Sequence, residues 1–268
     1  DAAAIGRARG RLAIVGIGPG DPVWRTPEAS AALAAAGDVV GYRLYLDLLG
    51  PAIAGGRRHE SALGEEEARV RTALDLAAAG RNVALVSSGD AGIYGLASLV
   101  FELLDRAAAP EWRAVEVTVC AGVSALQAAA ARAGAPLGHD FCTVSLSDLL
   151  TPWRVIRARL EAAAAGDFVV ALYNPRSARR VAQLAQAAEI LLRHRPPQTP
   201  VFVGRNLGRD GEESRIVPLC ELAAITADID MLSIVVVGSS TTRVLDGDPP
   251  RLYTPRGYLP GERAKAET

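Results

Sequence analysis

The chain has 268 residues, half of them hydrophobic and 22% charged, with a formal net charge of −1. That is ordinary globular composition, long enough for one large or two modest domains, and it excludes a disordered chain. The lack of a basic excess argues against nucleic acid as a partner.

In chain order, residues 1–10 read as a tail and Leu12–Val15 as a short buried strand. The strand ends in Gly16-Ile-Gly18-Pro19-Gly20-Asp21. Thr26-Pro27-Glu28 then supplies an N-cap, a first-position proline and a first-turn acid for an alanine-rich helix. Gly37 is expected to close that helix as a left-handed cap. Asp38–Gly41 reads as a second strand, Glu65–Ala79 as a helix closed by Gly80, and Val83–Val86 as a third buried strand. This third strand runs into a second glycine turn, Ser87-Ser88-Gly89-Asp90-Ala91-Gly92, and a helix from Tyr94 to Leu104. Val115–Val119 reads as a further strand, turning through Ala121-Gly122-Val123-Ser124 into the helix Ala125–Arg132. Such alternation predicts an α/β fold with a parallel sheet. Ligands bind at the carboxyl ends of strands in open sheets of this kind, so the two glycine turns are expected to converge on one crevice.

Gly134-Ala135-Pro136-Leu137-Gly138 breaks the alternation. It is the expected boundary between an N-terminal α/β domain, 11–134, and a C-terminal α/β domain, 135–254, with 255–268 a second tail. Phe141–Leu146 and Phe168–Tyr173 read as strands with a helix from Pro152 to Ala165 between them. A helix from Ser177 to His194 follows, stopped by Pro196-Pro197. Val201–Arg205, Ser214–Val217 and Leu232–Val237 come in close succession, which predicts mixed or antiparallel pairing.

No apolar run approaches the roughly 20 residues that span a bilayer, and Asp1–Gly10 lacks the apolar stretch of a signal peptide. A cytoplasmic protein with no membrane partner is expected. Cys120, Cys142 and Cys220 are few and widely spaced, which suits a reducing compartment. His59, His139 and His194 show no ligand spacing, so no metal is expected.

Gly16-Ile-Gly18-Pro19-Gly20-Asp21 departs from a dinucleotide fingerprint. Asp21 occupies the third glycine position, where it repels a pyrophosphate, and Pro19 removes an amide donor. Both disfavour a nucleotide-dependent oxidoreductase. Asp90 either caps the helix containing Tyr94 or presents its carboxylate at the crevice mouth. Two acidic turns suit a positively charged cofactor better than a phosphorylated one. Arg176, Arg179 and Arg180 open the helix expected from Ser177, where the dipole disfavours cations. A polycarboxylate ligand would reverse that penalty; the alternative is a solvated face. Ser147 and Asp148 lie in a turn ahead of Thr151-Pro152, whose threonine is expected to cap the next helix.

Together, the turn Gly16–Asp21 and the later turn Gly89-Asp90-Ala91 resemble those of the tetrapyrrole methylase superfamily, with Ala91 where proline is usual. The resemblance runs from Arg11 to Tyr253. Four further stretches are similar to the branch that methylates precorrin-3B at C17 in cobalamin biosynthesis. They are Val40–Leu49, Ser145–Trp153, Tyr173–Ser177 and Gly204–Glu212.

The resemblance implies two α/β domains with S-adenosylmethionine in the cleft between them, contacted around Pro19, Gly89, Asp90, Ile93, Ser124, Ala125, Tyr173 and Asn206. It implies C-methylation of precorrin-3B coupled to ring contraction, with Ser147 and Asp148 as acid/base candidates. Arg176, Arg179 and Arg180 are the candidates for binding a tetrapyrrole substrate, and a homodimer is expected. The alternatives are methylation of the cobalt-containing counterpart, cobalt-factor III, or of another precorrin position, and a non-catalytic tetrapyrrole carrier.

Overall fold

The computed structural model describes residues 10–53, 55–106 and 109–257. The tails expected at 1–10 and 255–268 lie outside the described residues, apart from Gly10 and residues 255–257. The chain divides into two compact units, one running to Ala125 and the other starting at Leu126.

The first unit contains β1 (Arg11–Gly16), α1 (Pro27–Ala35), β2 (Asp38–Tyr42), α2 (Arg43–Leu49), β3 (Arg57–Ser61), α3 (Glu66–Ala78), β4 (Asn82–Ser87), α4 (Ala97–Arg106) and β5 (Glu116–Cys120). Its sheet has the order β3-β2-β4-β1-β5, and every pairing is parallel. The apolar runs are buried on both faces, as a parallel sheet requires. Leu12, Ile14, Val83 and Leu85 face α3 and α4, packing on Val70, Leu74 and Val100. Val15, Val39, Ala84 and Val86 face the other way, onto Leu33 of α1 and Leu46 and Leu49 of α2.

Thr26 caps α1 as expected, its Oγ1 accepting from Ala29 N, with Pro27 first in the helix. Gly37 does not close it. Ala36 already has extended backbone, and Gly37 N donates to Asn82 O on the way into β2. Gly80 does close α3, at φ +87°, with Gly80 N on Ala77 O and Arg81 N on Leu76 O, the paired bonds of a Schellman end. The fourth helix begins at Ala97, three residues after the expected Tyr94, because Tyr94 is held in the left-handed region at φ +53°.

The second unit contains most of α5 (Ala125–Ala133), then β6 (Gly134–Ala135), β7 (Phe141–Ser145), α6 (Trp153–Ala165), β8 (Val169–Tyr173), α7 (Gln183–Leu192), β9 (Pro200–Arg205), β10 (Glu213–Pro218), β11 (Ser233–Val237), β12 (Arg243–Leu245) and β13 (Arg251–Tyr253). Its main sheet has the order β10-β9-β11-β8-β7. Only β7 and β8 pair in parallel; the others are antiparallel, which is the mixed sheet expected from the short connections. One face is covered by α6 and α7, where Ile156, Leu160, Leu184 and Leu191 pack on Leu172, Val203 and Val235.

Gly134-Ala135, read as a break in the pattern, pairs in parallel with β13, which pairs antiparallel with β12. Thr254 Oγ1 adds bonds to Pro136 O at 2.6 Å and Thr242 Oγ1 at 2.8 Å. These contacts, with Arg132 of α5 paired to Glu212, join α5 to the second unit.

Two local expectations fail here for identifiable reasons. Thr151 does not cap α6; Pro152 takes the cap position, and no side chain bonds the first turn. The helix expected from Ser177 begins at Gln183, because residues 177–180 close a tight turn in which Ser177 and Arg180 exchange backbone bonds.

Candidate functional site

The two glycine turns do meet. They are the carboxyl ends of the neighbouring strands β1 and β4. Gly18 N donates to Gly89 O at 3.1 Å and Gly89 N to Gly18 O at 2.8 Å. The turn after β5 joins them. A Cβ on Gly122 would stand 2.1 Å from Gly89 O, and one on Gly16 would stand 2.7 Å from the same oxygen. Three main chains therefore approach too closely to admit side chains.

Asp90 ties this arrangement together. Its Oδ1 accepts from Gly92 N at 2.7 Å and its Oδ2 from Gly122 N at 2.9 Å. It is not a helix cap, since α4 begins seven positions later. Asp21 is likewise engaged by backbone, accepting from Val23 N at 2.8 Å. Thr26 Oγ1 reaches Ala121 O at 3.0 Å, linking the turn after β1 to the turn after β5.

Of the other residues nominated in this unit, Pro19 and Ser124 are buried, and Ala125 is half-buried at the start of α5. Ile93 is exposed. Sequence reasoning nominated Ser124 of the turn after β5 but not Gly122 itself. The signal was present: a glycine after a buried strand, the same pattern as at Gly16 and Gly89.

In the same unit a cavity of about 610 Å³ opens at the carboxyl ends of β2 and β3, lined by Tyr42, Arg43, Leu44, Asp47, Glu60 and Leu63 among others. Tyr42, Arg43, Leu44 and Asp47 of its lining belong to the Val40–Leu49 stretch, and the rest comes from residues 60–65. Its wall is braced by Arg58, which bonds Asp47 and Glu60, each at 2.7 Å.

In the second unit the carboxyl ends of β7 and β8 gather Ser147, Asp148, Asn174 and Arg180. Asn174 sits at φ +51°, and its Nδ2 donates to Ser145 Oγ at 3.0 Å; Ser147 N donates to the same oxygen at 3.3 Å. Arg180 is turned inward, 4% exposed, with Nε on Asn174 O at 2.9 Å and Nη1 3.5 Å from Ser147 Oγ. Asp148 Oδ1 lies 3.9 Å from that nitrogen, and its Oδ2 accepts from Gln183 Nε2 at 2.8 Å. Burial pushes the Arg180 pKa down from the usual arginine range, and Asp148 pulls it back up.

None of the three arginines lies in the first turn of a helix. Arg176 donates from Nη1 to Thr226 O at 2.6 Å, and Arg179 is exposed. Gln183 and Met231, whose Sδ is 3.5 Å from Arg180 Nη2, carried no signal in the sequence.

Tyr173 ends β8, and its hydroxyl accepts from Leu126 N at 3.0 Å. Asn206 opens the β9–β10 turn in the left-handed region at φ +51°, with Gly208 and Gly211 left-handed after it. Asn206 N donates to Leu232 O, and Gly208 N to Glu212 Oε2 at 2.7 Å. The Gly204–Glu212 stretch is thus a tightly bonded hairpin turn.

The pattern of the Tetrapyrrole (Corrin/Porphyrin) Methylases matches residues 11–223. The chain belongs to this family. It is 47% identical over 251 residues to the precorrin-3B C(17)-methyltransferase of Sinorhizobium sp., covering 93% of this chain and 97% of that protein. It is 46% identical to the probable cobalt-factor III C(17)-methyltransferase of Salmonella typhimurium, covering 92% and 99%. The cobalamin biosynthesis protein CobIJ of Mycobacterium tuberculosis is 47% identical over 262 residues, and the chain spans 50% of that longer protein.

Among solved structures, the methyltransferase CobJ superposes with a TM-score of 0.85 at 41% identity, covering 92% of this chain and all of that one. The uroporphyrin-III C-methyltransferase of Thermus thermophilus, complexed with S-adenosyl homocysteine, superposes with a TM-score of 0.65 at 25% identity, covering 85% and 97%. The α/β fold expected from the sequence is the fold of these methyltransferases. Among the described residues no helix is long and apolar enough to cross a membrane.

Proposed function

We propose that this chain is an S-adenosylmethionine-dependent C-methyltransferase that methylates C17 of a precorrin-3B-type macrocycle, with ring contraction, in cobalamin biosynthesis. The observation that carries this reading is the 47% identity, over nearly the full length of both chains, to the Sinorhizobium precorrin-3B C(17)-methyltransferase. The nearly equal match to the Salmonella cobalt-factor III protein favours a second reading, in which the macrocycle already holds cobalt.

The turns after β1, β4 and β5 suit the cofactor. They offer main-chain groups with almost no side-chain bulk, and Gly89 leaves 3.6 Å between a notional Cβ and its nearest neighbour, Ser124 Cα. Pro19, Gly89, Asp90, Ile93, Ser124 and Ala125 would hold it, and the resemblance adds Tyr173 and Asn206 as further candidates. When bound, S-adenosylmethionine supplies an electrophilic methyl group.

The protein's task is then alignment, and holding the reacting carbon in line with the methyl is worth up to about 7–11 kcal/mol. Arg179 and the remaining donors of Arg176 suit the macrocycle's carboxylates. Arg180, buried, orients Ser147 and charges the surroundings of Asp148, the groups proposed to move protons during ring contraction. The chain is further proposed to act as a cytoplasmic homodimer.

The test is incubation with methyl-labelled S-adenosylmethionine and either precorrin-3B or cobalt-factor III, with mass analysis of the product. One added label on one of the two macrocycles supports the reading and names the substrate. Label on neither refutes it.

A further inference from the structure

The connection from β1 to α1, residues 17–26, carries Asp21, Arg25 and Thr26, and their surroundings differ. Asp21 accepts from Val23 N, and Thr26 bonds both Ala29 N and Ala121 O. Arg25 has no equivalent. Its Nε and Nη2 are both shut off from solvent, and neither has a hydrogen-bond partner among the described residues. Among the described residues no carboxylate pairs with it, and burial pushes its pKa down.

Besides Arg180, whose guanidinium bonds Asn174 O and lies near Asp148, two further inward arginines are held differently. Arg69 bonds Ser61 Oγ and Ala62 O, and its residue is 4% exposed. Arg195 bonds the carbonyls of Gly238 and Phe168 and has Asp167 at 3.9 Å, although its Nε is also unpartnered. Those two are struts, whereas Arg25 braces nothing with the two nitrogens it buries.

A guanidinium does not shed its proton to escape burial. Arg25 as a whole is half-buried, and two of its donors are shut off from water without partners, which is unfavourable. The two acids of the neighbouring turns do not relieve it, because Asp21 and Asp90 are already engaged by backbone amides. The position is also the one where a ligand is expected, at the carboxyl edge of a parallel sheet.

We propose that Arg25 is a carboxylate-binding residue of the ligand site in the first unit, its planar fork completed by an acid group that arrives with a ligand. Arginine matches a carboxylate through two parallel N–H donors. The inference rests on the proposed function, whose two reactants both bring carboxylates: the amino-acid end of S-adenosylmethionine and the side chains of the macrocycle.

The test uses R25Q and R25K in the full chain. Calorimetric titration with S-adenosylhomocysteine and with uroporphyrin III, a polycarboxylate macrocycle, distinguishes the two sources, and the Tm of each ligand-free variant is recorded. R25Q is expected to weaken one probe by about 10- to 100-fold, the range set by a charge-assisted hydrogen bond. R25K is expected to lose less, and the ligand-free Tm of R25Q to stay level or rise as an unpaired charge is removed. The probe that weakens identifies the carboxylate.

Wild-type affinity for both probes in R25Q overturns the proposal. So does a lowered ligand-free Tm with both affinities falling together, which marks a structural role. A wild-type chain that binds neither probe refutes the methyltransferase reading itself, and Arg25 falls with it.

Discussion

Asp90→Ala removes the carboxylate that bridges two of the turns in the first unit. Its two bonds are not equivalent. Gly92 is exposed, so its freed N–H turns to water, and that loss is about 0.5–1 kcal/mol net. Gly122 is buried between Gly16 and Gly89, and its freed N–H is left without a partner, at about 1–3 kcal/mol. The sum is roughly 1.5–4 kcal/mol, against the ~1 kcal/mol of losing an ordinary helix cap. At about 4 °C per kcal/mol for a unit of this size, Tm should fall by roughly 6–16 °C.

Asp90→Asn is the informative companion. It is isosteric, but its Nδ2 must face one of the two amides as a donor, so it should recover less than half of the loss. Circular dichroism melts and urea titrations of the ligand-free chain measure both. A Tm for D90A within about 2 °C of wild type would mean the two bonds contribute no more than an exposed pair, well below the strut described here.

Gly122→Ala places a methyl 2.1 Å from Gly89 O; the turns must separate, and stability should fall by at least about 3 kcal/mol by denaturant titration, a wild-type midpoint contradicting the close approach. The Glu212 pKa is held below the usual carboxylate range, chiefly by the side-chain bond to Arg132. A folded-state pKa below the unfolded one gives stability that is present above the unfolded value, near pH 4.5, and is lost as pH falls through the lower folded value. E212Q should therefore flatten the acid limb of a stability–pH curve, and an unchanged limb would assign the acid sensitivity elsewhere. Asp148→Asn keeps an acceptor for Gln183 but removes the charge near Arg180; if Asp148 moves a proton, kcat should drop about 100-fold with little change in S-adenosylhomocysteine affinity, and a kcat within threefold of wild type would remove it from the chemistry.

The strands of the first unit were legible because a parallel sheet buried on both faces leaves continuous apolar runs, as at Leu12–Val15 and Val83–Val86. The convergence of Gly18 and Gly89 was legible for the same reason, since each glycine ends such a run. The edge strand β3 was missed because Arg57-Arg58-His59-Glu60-Ser61 carries almost no apolar signal and is held by pairing with β2. The late start of α4 was missed because Tyr94 adopts left-handed backbone that nothing in its side chain demands, and that of α7 because residues 177–180 close a tight turn. Arg176, Arg179 and Arg180 were read as one cluster by adjacency alone. The turn at Ser177 separates them, sending Arg180 inward and leaving Arg179 outside. Pairings as short as β6 with β13, two residues against a segment more than 115 positions away, leave no periodic trace.

That last pairing bears on how the chain is made. The five strands of the first sheet are all synthesised by Cys120, and each inner strand, β2, β4 and β1, has both partners by then. This unit can close while the rest is still on the ribosome, in keeping with the way domains fold as units during synthesis. The second unit closes in two steps. Its main sheet is complete only at Val237, and Gly134-Ala135 and Pro136 O must still await Leu252, Tyr253 and Thr254. Nascent chains halted before Arg251 should carry a protease-resistant first unit and be cleavable near Gly134–Pro136.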